Sequence, residues 1–297
     1  MSRPRVPGAP VSTTWTSAPA DAVTPPATPS PPGPAGTARR LRRRPDLRRW
    51  ISPVALILLW QLASSTGLLA EDELASPLRV VTAAVDLTRS GELPEGLLVS
   101  LARVATGLVL GLVVGVGLGV VSGLSNWGGL LVDPPVQMLR TLPHLGLVPL
   151  FILWFGIGEL PKVLLVALGV LFPMYLNVHA GVRGVDPKLI EATAVSGFTR
   201  AERLRHVVLP GAMPSTLTGL RLALGIAWLS IIVAETTSAD AGLGYMIMNA
   251  REFLRTDVIV VGLAVYALLG LGTDALVRRL ERRVLAWRPA GPAGADR

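Results

Sequence analysis

The 297-residue chain has no cysteine, two lysines and three histidines. Without cysteine there is no disulfide framework, no thiolate metal site and no thiol nucleophile. His144, His179 and His206 fall in three separate segments without H-E-x-x-H spacing, so helix packing or solvation accounts for them better than metal ligation. A phosphate-binding loop needs Gly-Lys followed by Ser or Thr, whereas Lys162 and Lys188 each follow a proline. The chain therefore supplies no Walker A site, and any ATP hydrolysis that serves it belongs to another polypeptide. Charge is scarce too, 16% of residues against 51% hydrophobic. Such a composition suits lipid rather than water as solvent.

The apolar residues come in blocks of roughly 20, the length a helix needs to cross about 30 Å of hydrocarbon at 1.5 Å per residue. Six such blocks run over Ile51–Leu69, Gly96–Gly123, Gln137–Gly158, Val163–Val182, Leu217–Ala234 and Val258–Leu276. They predict an all-α polytopic membrane protein of six transmembrane helices, with both termini on one side. The net charge of +8 does not point to nucleic acid, because the arginines sit at block edges instead of on one soluble face. Seven lie between Arg39 and Arg49, and Arg278, Arg279, Arg282, Arg283 and Arg288 follow the last block. The positive-inside bias places both ends in the cytoplasm. Between blocks four and five stand Arg183, Lys188, Arg200, Arg203 and Arg205, while the segment after block one has Arg79 and Arg89 against six acids from Glu71 to Glu95. Inside and outside alternate without contradiction.

Residues 1–38 hold ten of the 25 prolines among Ala, Thr, Ser and Gly. That composition buries too little apolar surface to order itself, so residues 1–50 read as a disordered Pro-rich and Arg-rich cytoplasmic tail. A signal peptide fits less well, since Ile51–Leu69 is long for one and no small-residue cleavage site follows. Residues 51–285 form the membrane domain, and 286–297 a short cytoplasmic tail. From Pro77 to Ser90, Leu78, Val81, Val85 and Leu87 alternate with polar residues as in an amphipathic helix lying on the outer surface. Block two carries Gly107, Gly111, Gly115, Gly119 and Gly123 at every fourth position, a smooth stripe on which a second helix can pack closely. Pro143 and Pro149 break block three and belong where neighbours or water restore the lost hydrogen bonds. Arg103, Arg140 and Arg221 are costly in lipid, and each is expected to snorkel to an interface or to face a protein or aqueous cavity.

The polar segment Asp186–Pro214 is the most informative. Asp186 followed by Pro187 reads as an N-cap with proline at the first helical position, opening a helix that stops near Gly197. Thr199 and Glu202 have capping-box spacing and open a second helix, which Pro210 interrupts. Two short helices joined at a glycine make a compact cytoplasmic knob.

Glu191-Ala192-Thr193, three residues, Gly197, nine residues, Val207, one residue and Leu209-Pro210 resemble the EAA loop of ATP-binding-cassette importer permeases, with Thr193 and Val207 standing where alanine and isoleucine are usual. Over roughly residues 50–290 the resemblance extends to the aliphatic-sulfonate branch, through the runs beginning at Gln137, Ile152, Phe172, Ala234 and Asn249; taurine and nitrate permeases share much of it. The resemblance implies a type I importer transmembrane domain whose loop, through Glu191, Ala192, Gly197, Leu209 and Pro210, docks into an ATPase cleft. It also implies a homodimer of permeases carrying two ATPase subunits, an extracytoplasmic binding protein that delivers a small oxyanion, no cofactor, and a place in the bacterial cytoplasmic membrane.

An anionic substrate wants hydrogen-bond donors or positive potential on its path, which makes Arg140, His144 and Asn177 the candidate pathway residues. A secondary transporter driven by an ion gradient also accommodates six spans and broken helices, but the blocks offer little ionisable chemistry at mid-membrane. A membrane-embedded enzyme would need paired carboxylates, metal-spaced histidines or an activated nucleophile, and the blocks show none.

Overall fold

A computed structural model describes residues 48–69 and 73–287. Their helices are α1 (Arg48–Ser65), α2 (Pro77–Ser90), α3 (Glu92–Leu124), α4 (Asn126–Arg140), α5 (Val148–Phe155), α6 (Glu159–Arg183), α7 (Pro187–Val195), α8 (Arg200–Arg203), α9 (Leu209–Ser238), α10 (Leu243–Glu252) and α11 (Thr256–Val284). No strand occurs among the described residues. The Pro-rich segment, most of the Arg39–Arg49 cluster, and Arg288 lie outside them.

Each of the six apolar blocks contains a helix, but they are not six equivalent spans. Helices α3 and α6, the run Arg200–Ser238 and α11 are long and apolar enough to cross a membrane. The first block gives a shorter apolar helix, Ile51–Ser65. The third is not one helix over Gln137–Gly158. Helix α4 begins at Asn126, carries Pro134 and Pro135 within it, and ends at Arg140; a 3₁₀ turn over His144–Leu147 and α5 then leave at 82°. Pro143 explains the break, since its ring forces the preceding residue away from helical geometry and it has no N–H to donate. Pro149 sits in the first turn of α5, where a missing N–H costs nothing.

Helices α6 and α9 form the centre. Leu165, Val166, Val170, Met174 and Tyr175 are buried on α6, and Ala223, Ala227 and Ile231 on α9. The glycine stripe of α3 lies along α6. A methyl group at Gly107 would meet Val166, at Gly111 Val170, at Gly115 Met174, at Gly119 Val178 and at Gly123 Val182, each within 3.0 Å. Both sets of residues step by four, so two matched faces run together for about four turns. Gly117, on the same helix but off the stripe, has nothing within 4 Å.

Helix α2 spans Pro77–Ser90, with Ser76 Oγ accepting from Arg79 N. Ala83 and Leu87 are buried, while Leu78, Val81 and Val85 remain exposed. Two apolar edges of one short helix suit a position between protein and bilayer surface.

Candidate functional site

The segment expected to form a knob begins as its residues dictate. Asp186 accepts from Lys188 N at 2.9 Å, and Pro187 occupies the first turn of α7. At the other end Gly197 has φ +84°. Its N–H donates to Ala194 O, and Phe198 N to Thr193 O, which is the Schellman pair that ends a helix on a left-handed residue. Thr199 and Glu202 close the capping box in both directions, Thr199 N donating to Glu202 Oε2 at 2.8 Å and Glu202 N to Thr199 Oγ1 at 3.3 Å.

Beyond this point the expected second short helix is not separate. Helix α8 passes through a π turn over Leu204–Val208 directly into α9, a continuous run of 39 residues to Ser238. Pro210 was expected to interrupt it. The π turn has Leu209 N donating to Leu204 O, and the widened turn leaves room for a proline ring that would otherwise strike the carbonyl four residues back. One rod of about 58 Å, at 1.5 Å per residue, thus joins the knob to the far end of α9.

The five loop residues take different positions. Glu191 and Ala192 are exposed on α7, Gly197 is exposed at the turn, Leu209 is exposed and Pro210 is half-buried. Leu189, Val195 and Phe198 add exposed apolar surface. Ile190, Leu204 and Val207 pack against the core beside buried Val208. The knob therefore offers a mixed polar and apolar outer face and is anchored by its inner one.

Arg140, His144 and Asn177 are not brought together around a described cavity. Arg140 is exposed at the end of α4. His144 Nε2 lies 3.2 Å from Ser230 Oγ. Asn177 is engaged inside the bundle, its side chain donating to Pro173 O at 2.8 Å and its carbonyl accepting from Ser215 Oγ. The other histidines have local partners, His179 with Ser122 at 2.6 Å and His206 with Glu202 O at 3.0 Å.

The strongest polar constellation surrounds Arg103, which the apolar-block pattern presents as an isolated charge. Arg103, 4% exposed, does not snorkel. Its Nη1 donates to Glu235 Oε1 at 2.8 Å and to Ala241 O at 2.6 Å. Its Nε and Nη2 grip Glu159 at 2.5 and 2.6 Å, and Lys162 Nζ reaches the same carboxylate at 3.1 Å. Glu235, 1% exposed, also accepts from Ser100 Oγ, Gly244 N and Tyr266 Oη. Two cations and two carboxylates cancel, and each buried polar side-chain atom of the cluster has a hydrogen-bond partner, as burial in a low dielectric demands. Gly242, at φ +112°, lies so close that a methyl there would fall 2.5 Å from Glu235 Oε1. The ionisable cluster sits at the ends of the apolar blocks and not at mid-membrane. Glu235 lies one residue beyond the fifth apolar block and Glu159 one beyond the third; a buried arginine needs a carboxylate, and these two stood at the nearest block ends. By contrast Arg221 does reach an exposed interface, pairing with Asp274 at 3.3 Å and Glu281 at 2.8 Å on α11.

Residues 96–286 match the family of binding-protein-dependent transport system inner membrane components. The chain belongs to this family. Among its relatives is the aliphatic sulfonates transport permease protein SsuC of Escherichia coli (strain K12), 51% identical over 241 residues that cover 81% of this chain and 92% of that one. The SsuC protein of Bacillus subtilis (strain 168) is 42% identical over 257 residues, covering 84% and 93%. The crystal structure of an amino acid ABC transporter with histidines shares the fold, with a TM-score of 0.54 at 22% identity, over 63% of this chain and 92% of that one. In this transport component the matched segment runs from the start of α3 past the end of α11, so the loop, the charge cluster and the glycine seam all lie within it, while α1 and α2 precede it. It is a membrane transport subunit of the inner membrane, not the ATPase.

Proposed function

We propose that the chain is the permease subunit of an ATP-driven importer of aliphatic sulfonates. The observation that carries this reading is identity of 51% to a permease named for aliphatic sulfonates, across nearly that protein's whole length. Both termini and the Asp186–Pro214 knob face the cytoplasm in this reading, as the arginine distribution asks. Two copies of the chain pair across the membrane, with residues 51–285 as the permease domain of each, and each knob docks one ATPase subunit. A binding protein presents substrate on the opposite side.

The geometry gives the coupling a physical route. Glu191, exposed midway along α7, offers a carboxylate that accepts hydrogen bonds from a partner. Exposed Val195 and Phe198 supply apolar contact. A push on the knob is carried by the continuous Arg200–Ser238 helix to Glu235 and the charge cluster at its other end. The relevant test is growth of a deletion strain with ethanesulfonate as the only sulfur source. The strain should fail on ethanesulfonate and grow on sulfate; unimpaired growth on ethanesulfonate with loss of taurine or nitrate uptake would transfer the chain to a sister branch.

A further inference from the structure

The charge cluster is unequal in one respect. Arg103, Lys162 and Glu235 are buried, 4%, 2% and 1% exposed, yet the Glu159 side chain that satisfies both cations is 59% exposed. A carboxylate held bidentately by an arginine and capped by a lysine is a built anion site already filled by the chain itself. The same carboxylate forms part of the wall of a cavity of about 570 Å³ between the start of α6 and the end of α9. Ile152 and Ile157 give that cavity an apolar side, and Thr237 and Ser238 give it hydroxyls.

We infer that Glu159 is an exchangeable plug, and that this pocket binds a small alkyl oxyanion whose headgroup takes the place of the Glu159 carboxylate on Arg103 and Lys162. The inference rests on the sulfonate reading for the identity of the ligand, though not for the existence of the site. Three physical points carry it. First, the exchange conserves charge. One monovalent anion replaces another, so neither buried cation is left unpaired, the event that makes breaking a buried ion pair costly. Second, the leaving group is the one member of the cluster with a path to water, so Glu159 regains hydration as it swings out, while Glu235 keeps its donors from Ser100, Gly244 and Tyr266. Third, the cavity is amphiphilic in the sense an alkylsulfonate requires, its wall combining Lys162 and the Arg103-bound Glu159 with Ile152 and Ile157. Asp240 is exposed on the same wall, a negative charge that the two cations must outweigh for an anion to bind. Under the proposed topology the pocket opens on the outer side, where substrate arrives.

Glu159 is thus a tethered competitor, and its high effective concentration keeps the intrinsic affinity of the site masked. Removing its charge exposes that affinity, a gain that a merely structural salt bridge does not give. The experiment measures equilibrium binding of radiolabelled ethanesulfonate, and separately of nitrate, to the full-length chain in lipid nanodiscs without binding protein. Glu159→Gln should bind ethanesulfonate about tenfold more tightly than wild type. Glu159→Asp, which keeps the charge but shortens its reach, should fall between them. Adding Lys162→Met to Glu159→Gln should remove the gain, whereas adding Arg251→Gln, another outer-side cation, should not. A gain confined to nitrate keeps the exchangeable plug and overturns the sulfonate reading. No gain for either anion in a monodisperse Glu159→Gln preparation overturns the plug, leaving the sulfonate reading to the growth test.

Discussion

Substituting alanine at two glycines of α3 separates close helix packing from helix propensity. A Cβ at Gly111 would lie 2.5 Å from Ala167 O and 2.7 Å from Val170 Cβ. Unstrained carbon contacts fall at about 3.5–4.0 Å, so α3 and α6 must part by roughly 1 Å or distort locally. Overpacking of this kind costs about 1–3 kcal/mol, set against a gain of about 1 kcal/mol from replacing glycine by alanine inside a helix. At Gly117 nothing lies within 4 Å, so only the gain remains. Gly117→Ala should therefore match or exceed wild type, and Gly111→Ala should melt below Gly117→Ala. With about 2–4 °C for each kcal/mol in a domain of 150–250 residues, the gap should be roughly 5 °C. Thermal unfolding in one mild detergent, followed by size exclusion, reads it directly. Coincident melting of the two variants, or greater stability of Gly111→Ala, refutes the packing seam.

Two further substitutions probe the charge cluster and the orientation. Arg103→Met leaves Glu235 buried without its cation and should cost about 3–5 kcal/mol, read as loss of folded protein from the membrane fraction. Adding Glu235→Gln should restore part of it, and a double variant as depleted as the single one removes the pairing from the account. A single cysteine at position 200 of this cysteine-free chain should resist an impermeant maleimide in intact cells and react once the membrane is opened; labelling in intact cells reverses the topology.

What could be read from the sequence was local or periodic. The glycine stripe has one residue type at one interval, so it survives as a pattern, and the side chains it meets on α6 follow the same interval. The cap at Asp186, the left-handed Gly197 and the Thr199–Glu202 box are encoded within a few residues of where they act. The cluster is different in kind. Arg103 finds Glu159 56 residues away and Glu235 132 residues away, and hydropathy blocks discard the acids at their own edges. Treating a charge inside an apolar block as a demand for a partner, rather than as a candidate for snorkelling, points to both carboxylates. Pro210 misled for the opposite reason. A proline breaks a regular α-helix, but a π turn admits one, and nothing in the local sequence announces the change of hydrogen-bond register.

Coupling between the knob and transport is the central claim, and uptake into sealed proteoliposomes tests it most directly. The chain is reconstituted with its ATPase subunit, ATP is enclosed on the knob side, and radiolabelled ethanesulfonate is supplied with the binding protein on the other. Wild type should accumulate ethanesulfonate only when ATP is present. Glu191→Lys reverses the charge and removes the accepting carboxylate, while Gly197→Val forces a β-branched residue to φ +84°, a strain of about 1–3 kcal/mol. Both variants should insert normally, Glu191→Lys losing ATP-dependent uptake and Gly197→Val losing most of it. Wild-type uptake and ATPase retention in Glu191→Lys would contradict the account.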